Sequence, residues 1–103
     1  MKYTSTRSHE TVSETYALLH GLASDGGLYV PETFPEKCLS YQDVVDKSYE
    51  EIALVVLSKL FTTFTEVELE TMIRSAYNTV NFDTPDMAPM HSLLERVSVL
   101  ELF

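Results

Sequence analysis

The sequence predicts an α+β fold in which three main helices pack with a few short strands. Two S/T-x-x-E capping boxes, Ser48-Tyr-Glu-Glu51 and Thr65-Glu-Val-Glu68, each open an apolar pattern of helical period. Short β-branched and aromatic runs stand at both ends, residues 2–6 and 97–103. Two of the three glycines and two of the four prolines fall in one stretch, LASDGGLYVPETFP (residues 22–35), which reads as a corner between elements.

In chain order, residues 2–6 form the first strand and 7–10 a polar connection. The first helix starts between Thr11 and Ser13: Thr11 with Glu14 fits a capping box, and Ser13 competes as N-cap. Val12, Tyr16, Leu19 and Ala23 then form one apolar stripe, widened by Leu18 and Leu22. Ser24-Asp-Gly-Gly27 stops the helix, and residues 28–30 form a short strand that Pro31 confines to an edge or an end. Ser40 caps a short helix through Val45. The helix over 49–60 carries Ile52, Val55, Val56 and Leu60 on a broad face that predicts deep burial. The next helix places Leu69, Met72, Ile73, Ala76, Tyr77 and Val80 at helical spacing. Residues 82–89, with two prolines, form an extended loop, and 97–103 a last strand. A strand this apolar normally leads into a turn and a covering element, so the ending at Phe103 predicts a chain that continues.

With 103 residues there is room for one small core. A net charge of −9 opposes phosphate backbones and anionic membrane surfaces, which argues against nucleic-acid and membrane partners. The single Cys38 suits a reducing compartment, and the longest apolar run, Ile52 to Leu57, is too short to cross a bilayer; the expected location is the cytoplasm.

The search for chemistry yields little. His9, His20 and His91 have no metal-ligand spacing, so no metal site is expected. Nothing near Cys38 lowers its thiol pKa enough to make a nucleophile. Glu50, Glu51, Glu66, Glu68 and Glu70 fall in or near helix first turns, where carboxylates favour the positive end of the dipole. In LASDGGLYVP the order is helix, glycine, strand. A phosphate cradle requires glycine opening into a helix N-terminus, so the glycines serve a corner.

The residues nevertheless resemble a known family. MKYTSTR, then GLASDGGLYVPETFP, then Pro85-Asp-Met-Ala-Pro-Met90 and finally Val99-Leu-Glu-Leu-Phe103 occur in the order typical of the N-terminal region of threonine synthase. The most specific block is carried by Gly21, Leu22, Asp25, Gly26, Gly27, Leu28, Tyr29, Val30 and Pro31; the second is L-E-L-F, with Glu101 and Phe103. Many members have glycine where Ser8 stands and leucine where Met90 stands.

The resemblance implies an N-terminal domain, residues 1–103, of a fold-type II pyridoxal phosphate (PLP) enzyme that converts O-phosphohomoserine and water to threonine and phosphate. It also implies that L-E-L-F runs into H-G-P-T and then F-K-D, whose lysine forms the Schiff base. Lys2, Lys37, Lys47 and Lys59 match no such lysine. The expectation is therefore a chain with no catalytic residue and no cofactor of its own, whose partner is the PLP-binding domain of the same polypeptide. Gly21, Asp25, Gly26, Gly27, Leu28, Tyr29, Pro31, Glu101 and Phe103 are then structural motif residues. Arg7 is a substrate-proximal candidate, weighed against a surface or interdomain ion pair. An apolar terminal strand also implies self-association of the isolated chain. The rival readings are a stand-alone interaction module using that strand as an edge, and a small enzyme built on Cys38 or a histidine.

Overall fold

A computed structural model describes residues 1–36 and 39–102. Strand β1 (Lys2–Ser5) is central in an antiparallel sheet of order β2-β1-β3, between β2 (Thr11–Ser13) and β3 (Tyr29–Pro31). Tyr3 pairs with Val12 on one side and Pro31 on the other, and Thr4 with Thr11 and Val30. Pro31 thus ends an edge strand, where its missing N–H costs the ladder nothing.

Helix α1 (Glu14–His20) begins after the competing cap: the Ser13 hydroxyl accepts from the Tyr16 N–H at 3.2 Å, while Thr11 lies in β2. The Thr11–Glu14 box does not form because the Glu14 carboxylate is engaged elsewhere. The helix also stops earlier than Ser24-Asp-Gly-Gly27, at Gly21, whose φ of 64° is the left-handed turn that glycine tolerates and whose N–H reaches the Ala17 carbonyl at 2.9 Å. Two turns of helix bury Ala17 and Glu14 and leave Tyr16, Leu18 and Leu19 exposed; of the expected stripe only Ala23 is buried.

A short helix α2 (Tyr41–Val44), boxed by Ser40 and Asp43, leads to α3 (Tyr49–Leu60) and α4 (Glu66–Ala76), which pack on each other. Both long helices open as the sequence predicts. Ser48 N–H donates to the Glu51 carboxylate at 2.7 Å and Thr65 N–H to that of Glu68 at 2.8 Å. Those bonds hold both carboxyls below their usual range. Deep burial of α3 is not found: its apolar residues are half-buried. Helix α4 ends at Ala76, short of Val80, because the Asn78 and Asn81 amides take the Ser75 and Ala76 carbonyls at 2.9 Å.

The buried apolar residues among those described are Tyr3, Ala17, Ala23, Leu69, Ile73 and Met87. Tyr3 joins sheet and helices: its hydroxyl donates to the Leu60 carbonyl at 2.8 Å and its ring stacks on Phe61. Beyond the 82–89 turn region the chain forms a hairpin, β4 (Met90–Leu94) and β5 (Val97–Leu100), with a bulge between Ser92 and Leu94. The last strand therefore ends at Leu100, and β4 has no counterpart in the sequence reading. All nine strand residues of the hairpin are exposed.

Candidate functional site

The Asp-Gly-Gly corner lies where the chain leaving β1 passes the approach to β3. Thr6 N–H donates to the Leu28 carbonyl at 2.9 Å, and Leu28 N–H returns to the Thr6 hydroxyl at 3.0 Å. The buried Ser5 hydroxyl donates to the Asp25 carboxylate at 2.9 Å and accepts from the Arg7 N–H at 3.1 Å. Gly27 N–H donates to the same carboxylate at 2.8 Å. Bonds from the Ser8 side chain, the Gly27 backbone and the Ser5 side chain hold the Asp25 carboxyl below its ordinary range.

Both glycines have a steric reason. Gly26 sits at φ 75°, with its N–H on the Ala23 carbonyl. At Gly27 a Cβ would drive into the Ser5 hydroxyl and stand 3.1 Å from the Arg7 backbone nitrogen. With the Gly26, Gly27 and Leu28 N–H groups committed inside the corner, these residues do not fit a cofactor phosphate, which needs such donors turned outward.

Arg7, Gly21, Asp25, Gly26, Gly27, Leu28, Tyr29 and Pro31 come together here. Gly21 accepts from Tyr29 N–H, Leu28 bridges to Leu22, and the Tyr29 ring meets the Tyr16 ring edge-on. Exposed Arg7 donates from Nη1 to the Asp25 carbonyl at 3.2 Å, one of five guanidinium donors; among the described residues it has no carboxylate partner. Glu101 is elsewhere, just past the end of β5, its carboxylate 3.5 Å from His91 Nε2. Phe103 lies outside the described residues, as do Lys37 and Cys38.

Sequence reading missed one polar centre. Glu14 is 1% exposed and receives the Met1 ammonium at 2.5 Å, the Thr63 N–H at 2.5 Å, and both the N–H and hydroxyl of Thr62 at 3.2 Å. Burial alone would raise its pKa; the ammonium and Thr63 bonds, with the ammonium's charge, outweigh it and lower the pKa to about 2. No local signal separates this glutamate from a helix cap, because its partners lie across the fold.

A hollow of about 240 Å³ between the helices is lined by Leu57, Phe61, Phe64, Leu69 and Met72, and its apolar walls offer few polar groups to orient a ligand. A donor-committed corner, a buried ionic tie and an exposed hairpin are the main features of this mixed helix-and-strand structure. Comparison with known proteins supplies the family.

The chain belongs to the threonine synthase N-terminus family, whose model, described as "Threonine synthase N terminus", matches residues 2–77. It is 37% identical to the threonine synthase of Schizosaccharomyces pombe over 100% of this chain and 20% of that protein. Against the Saccharomyces cerevisiae enzyme it is 32% identical over 98% and 21%. Among solved structures, a PLP-bound threonine synthase from Brucella melitensis superposes with a TM-score of 0.77 and 39% identity, covering 100% of this chain and 22% of that one. The yeast threonine synthase gives a TM-score of 0.69 and 28% identity, covering 86% and 18%. The chain thus spans about a fifth of the length of these relatives.

Proposed function

We propose that residues 1–103 serve as the N-terminal domain of a cytoplasmic threonine synthase. The whole polypeptide would convert O-phosphohomoserine and water to threonine and phosphate with PLP. In that reading the domain packs on the PLP-binding domain of the same polypeptide and helps enclose the cleft, while the Schiff-base lysine and phosphate cup come from that other domain. The family match over most of the chain carries the reading. The hairpin supports the packing: two antiparallel strands exposed at every position are marginal alone and call for a further covering element.

Arg7 is the side chain of this domain proposed to approach the anionic substrate. It stands exposed on a corner rigid enough to hold it, with donors beyond the one given to Asp25. The glycines and Asp25 act as the frame of that corner. The isolated chain is expected to self-associate through the apolar hairpin, with concentration-dependent sedimentation as the check.

The test is phosphate release and threonine formation from O-phosphohomoserine by the longer polypeptide loaded with PLP, beside the 103-residue chain alone. The longer protein should turn over and the chain alone should not. Inactivity of the loaded longer protein, or turnover by the chain alone, overturns the reading. Arg7→Ala in the longer protein should raise KM for the phosphorylated substrate, with partial recovery in Arg7→Lys; unchanged kinetics would remove Arg7 from the substrate's surroundings.

A further inference from the structure

Arg7 is held at both ends by a single residue, Asp25. At the backbone end, the Arg7 N–H donates to the Ser5 hydroxyl at 3.1 Å, and that hydroxyl donates in turn to the Asp25 carboxylate at 2.9 Å. At the tip, Arg7 Nη1 donates to the Asp25 carbonyl at 3.2 Å. The carboxylate also fixes the peptide that bears this carbonyl, because it accepts from the Gly27 N–H two residues on at 2.8 Å, the closure of an Asx turn. Gly26 completes the seat. A Cβ there would stand 2.9 Å from Arg7 Nη1 and 3.7 Å from its Cζ, so the guanidinium lies against a face that glycine leaves open.

We propose that Asp25 is a positioning residue that presets the Arg7 guanidinium for an anionic substrate. The inference rests on the reading of Arg7 as the substrate-facing side chain, and goes past it by assigning what aims that side chain. A free arginine surrenders several rotatable bonds when it grips an anion. One already seated surrenders fewer, and the saving appears as tighter binding. The seat uses one of the five guanidinium N–H groups and leaves the others for the anion. Asp25 acts through Arg7 alone, with its carboxylate committed to Ser5 and Gly27.

The test is a double-mutant cycle in the longer polypeptide loaded with PLP, reading KM and kcat for O-phosphohomoserine. Asp25→Ala should raise KM about fivefold with kcat within about twofold, and in an Arg7→Ala background it should change KM by less than about twofold. A general loosening of the fold would act alike in both backgrounds, so an equal rise in the two overturns the proposal. A rise in KM for Arg7→Ala with none for Asp25→Ala also overturns it, while leaving Arg7 facing the substrate. Unchanged kinetics in Arg7→Ala remove Arg7 from the substrate's surroundings and this proposal with it. Should Asp25→Ala fail to fold, Asp25→Asn takes its place. It keeps one acceptor for the Gly27 N–H and should raise KM by about twofold or more only where Arg7 is present; no such rise overturns the proposal.

Discussion

Strand β1 and the β4–β5 hairpin are both short antiparallel elements, yet β1 buries Tyr3 and Ser5 while every strand residue of the hairpin faces solvent. The hairpin is the more apolar of the two, with Met90, Leu93, Leu94, Val97, Val99 and Leu100 in nine strand positions. The difference lies in what reaches across the fold. β1 lies between two strands and is fixed by Tyr3 to Leu60 and by Met1, through Glu14, to Thr62 and Thr63. Hydrophobicity thus marks a surface that seeks cover, and a long-range partner decides whether it is covered within this chain.

The sharpest way to break the contrast is to cut the tie that holds β1. Glu14→Ala strands the ammonium and the Thr62 and Thr63 N–H groups, and should cost about 3 to 5 kcal/mol in denaturant midpoint. Acid should reach the same group. Its folded pKa of about 2 lies below the ordinary value of 4.5, so its contribution is complete above pH 4.5 and is lost as pH falls towards 2. A stability–pH curve should lose on the order of 3 kcal/mol across that window, and the loss should vanish in Glu14→Gln.

The corner comes next. Gly27→Ala must push apart Ser5 and the Arg7 backbone, for about 1 to 3 kcal/mol by thermal or chemical unfolding. Ser48→Ala removes one capping bond of α3 and should cost about 1 kcal/mol. At the far end of the scale, Val99→Thr on the hairpin should change the stability of this chain by less than about 0.5 kcal/mol. A larger loss there would mean the hairpin is already packed.

What was legible in the sequence was local. The boxes at Ser48 and Thr65 could be read because cap and partner are three residues apart and bond only each other. The corner could be read because glycine's φ and proline's missing N–H act where they stand. Glu14 could not: its spacing from Thr11 satisfies a capping box, but its partners are Met1, Thr62 and Thr63, and the helix takes Ser13 instead. The α1 stripe erred for a related reason, since a two-turn helix with one small inward residue, Ala17, leaves its leucines outside. β4 escaped notice because the hairpin turns at Glu95-Arg96, which lacks the Asn-Gly or Asp-Gly signature of a two-residue loop, and because a bulge breaks its alternation. The family motif residues were visible as a pattern, while the bonding that unites Ser5, Arg7, Asp25 and Gly27 needed the fold.

The exposed hairpin also has a cost in time. Were the proposed PLP-binding domain to follow this chain in a polypeptide as long as its relatives, ribosomes adding roughly 5 to 20 residues per second would take on the order of tens of seconds to make it. Through that interval a twin-stranded apolar ribbon would wait on a nascent chain with both edges open, the condition under which neighbouring chains on one message pair wrongly. Chaperone demand during synthesis should accordingly fall on the hairpin, and polar substitutions there should ease yield before they alter the finished fold.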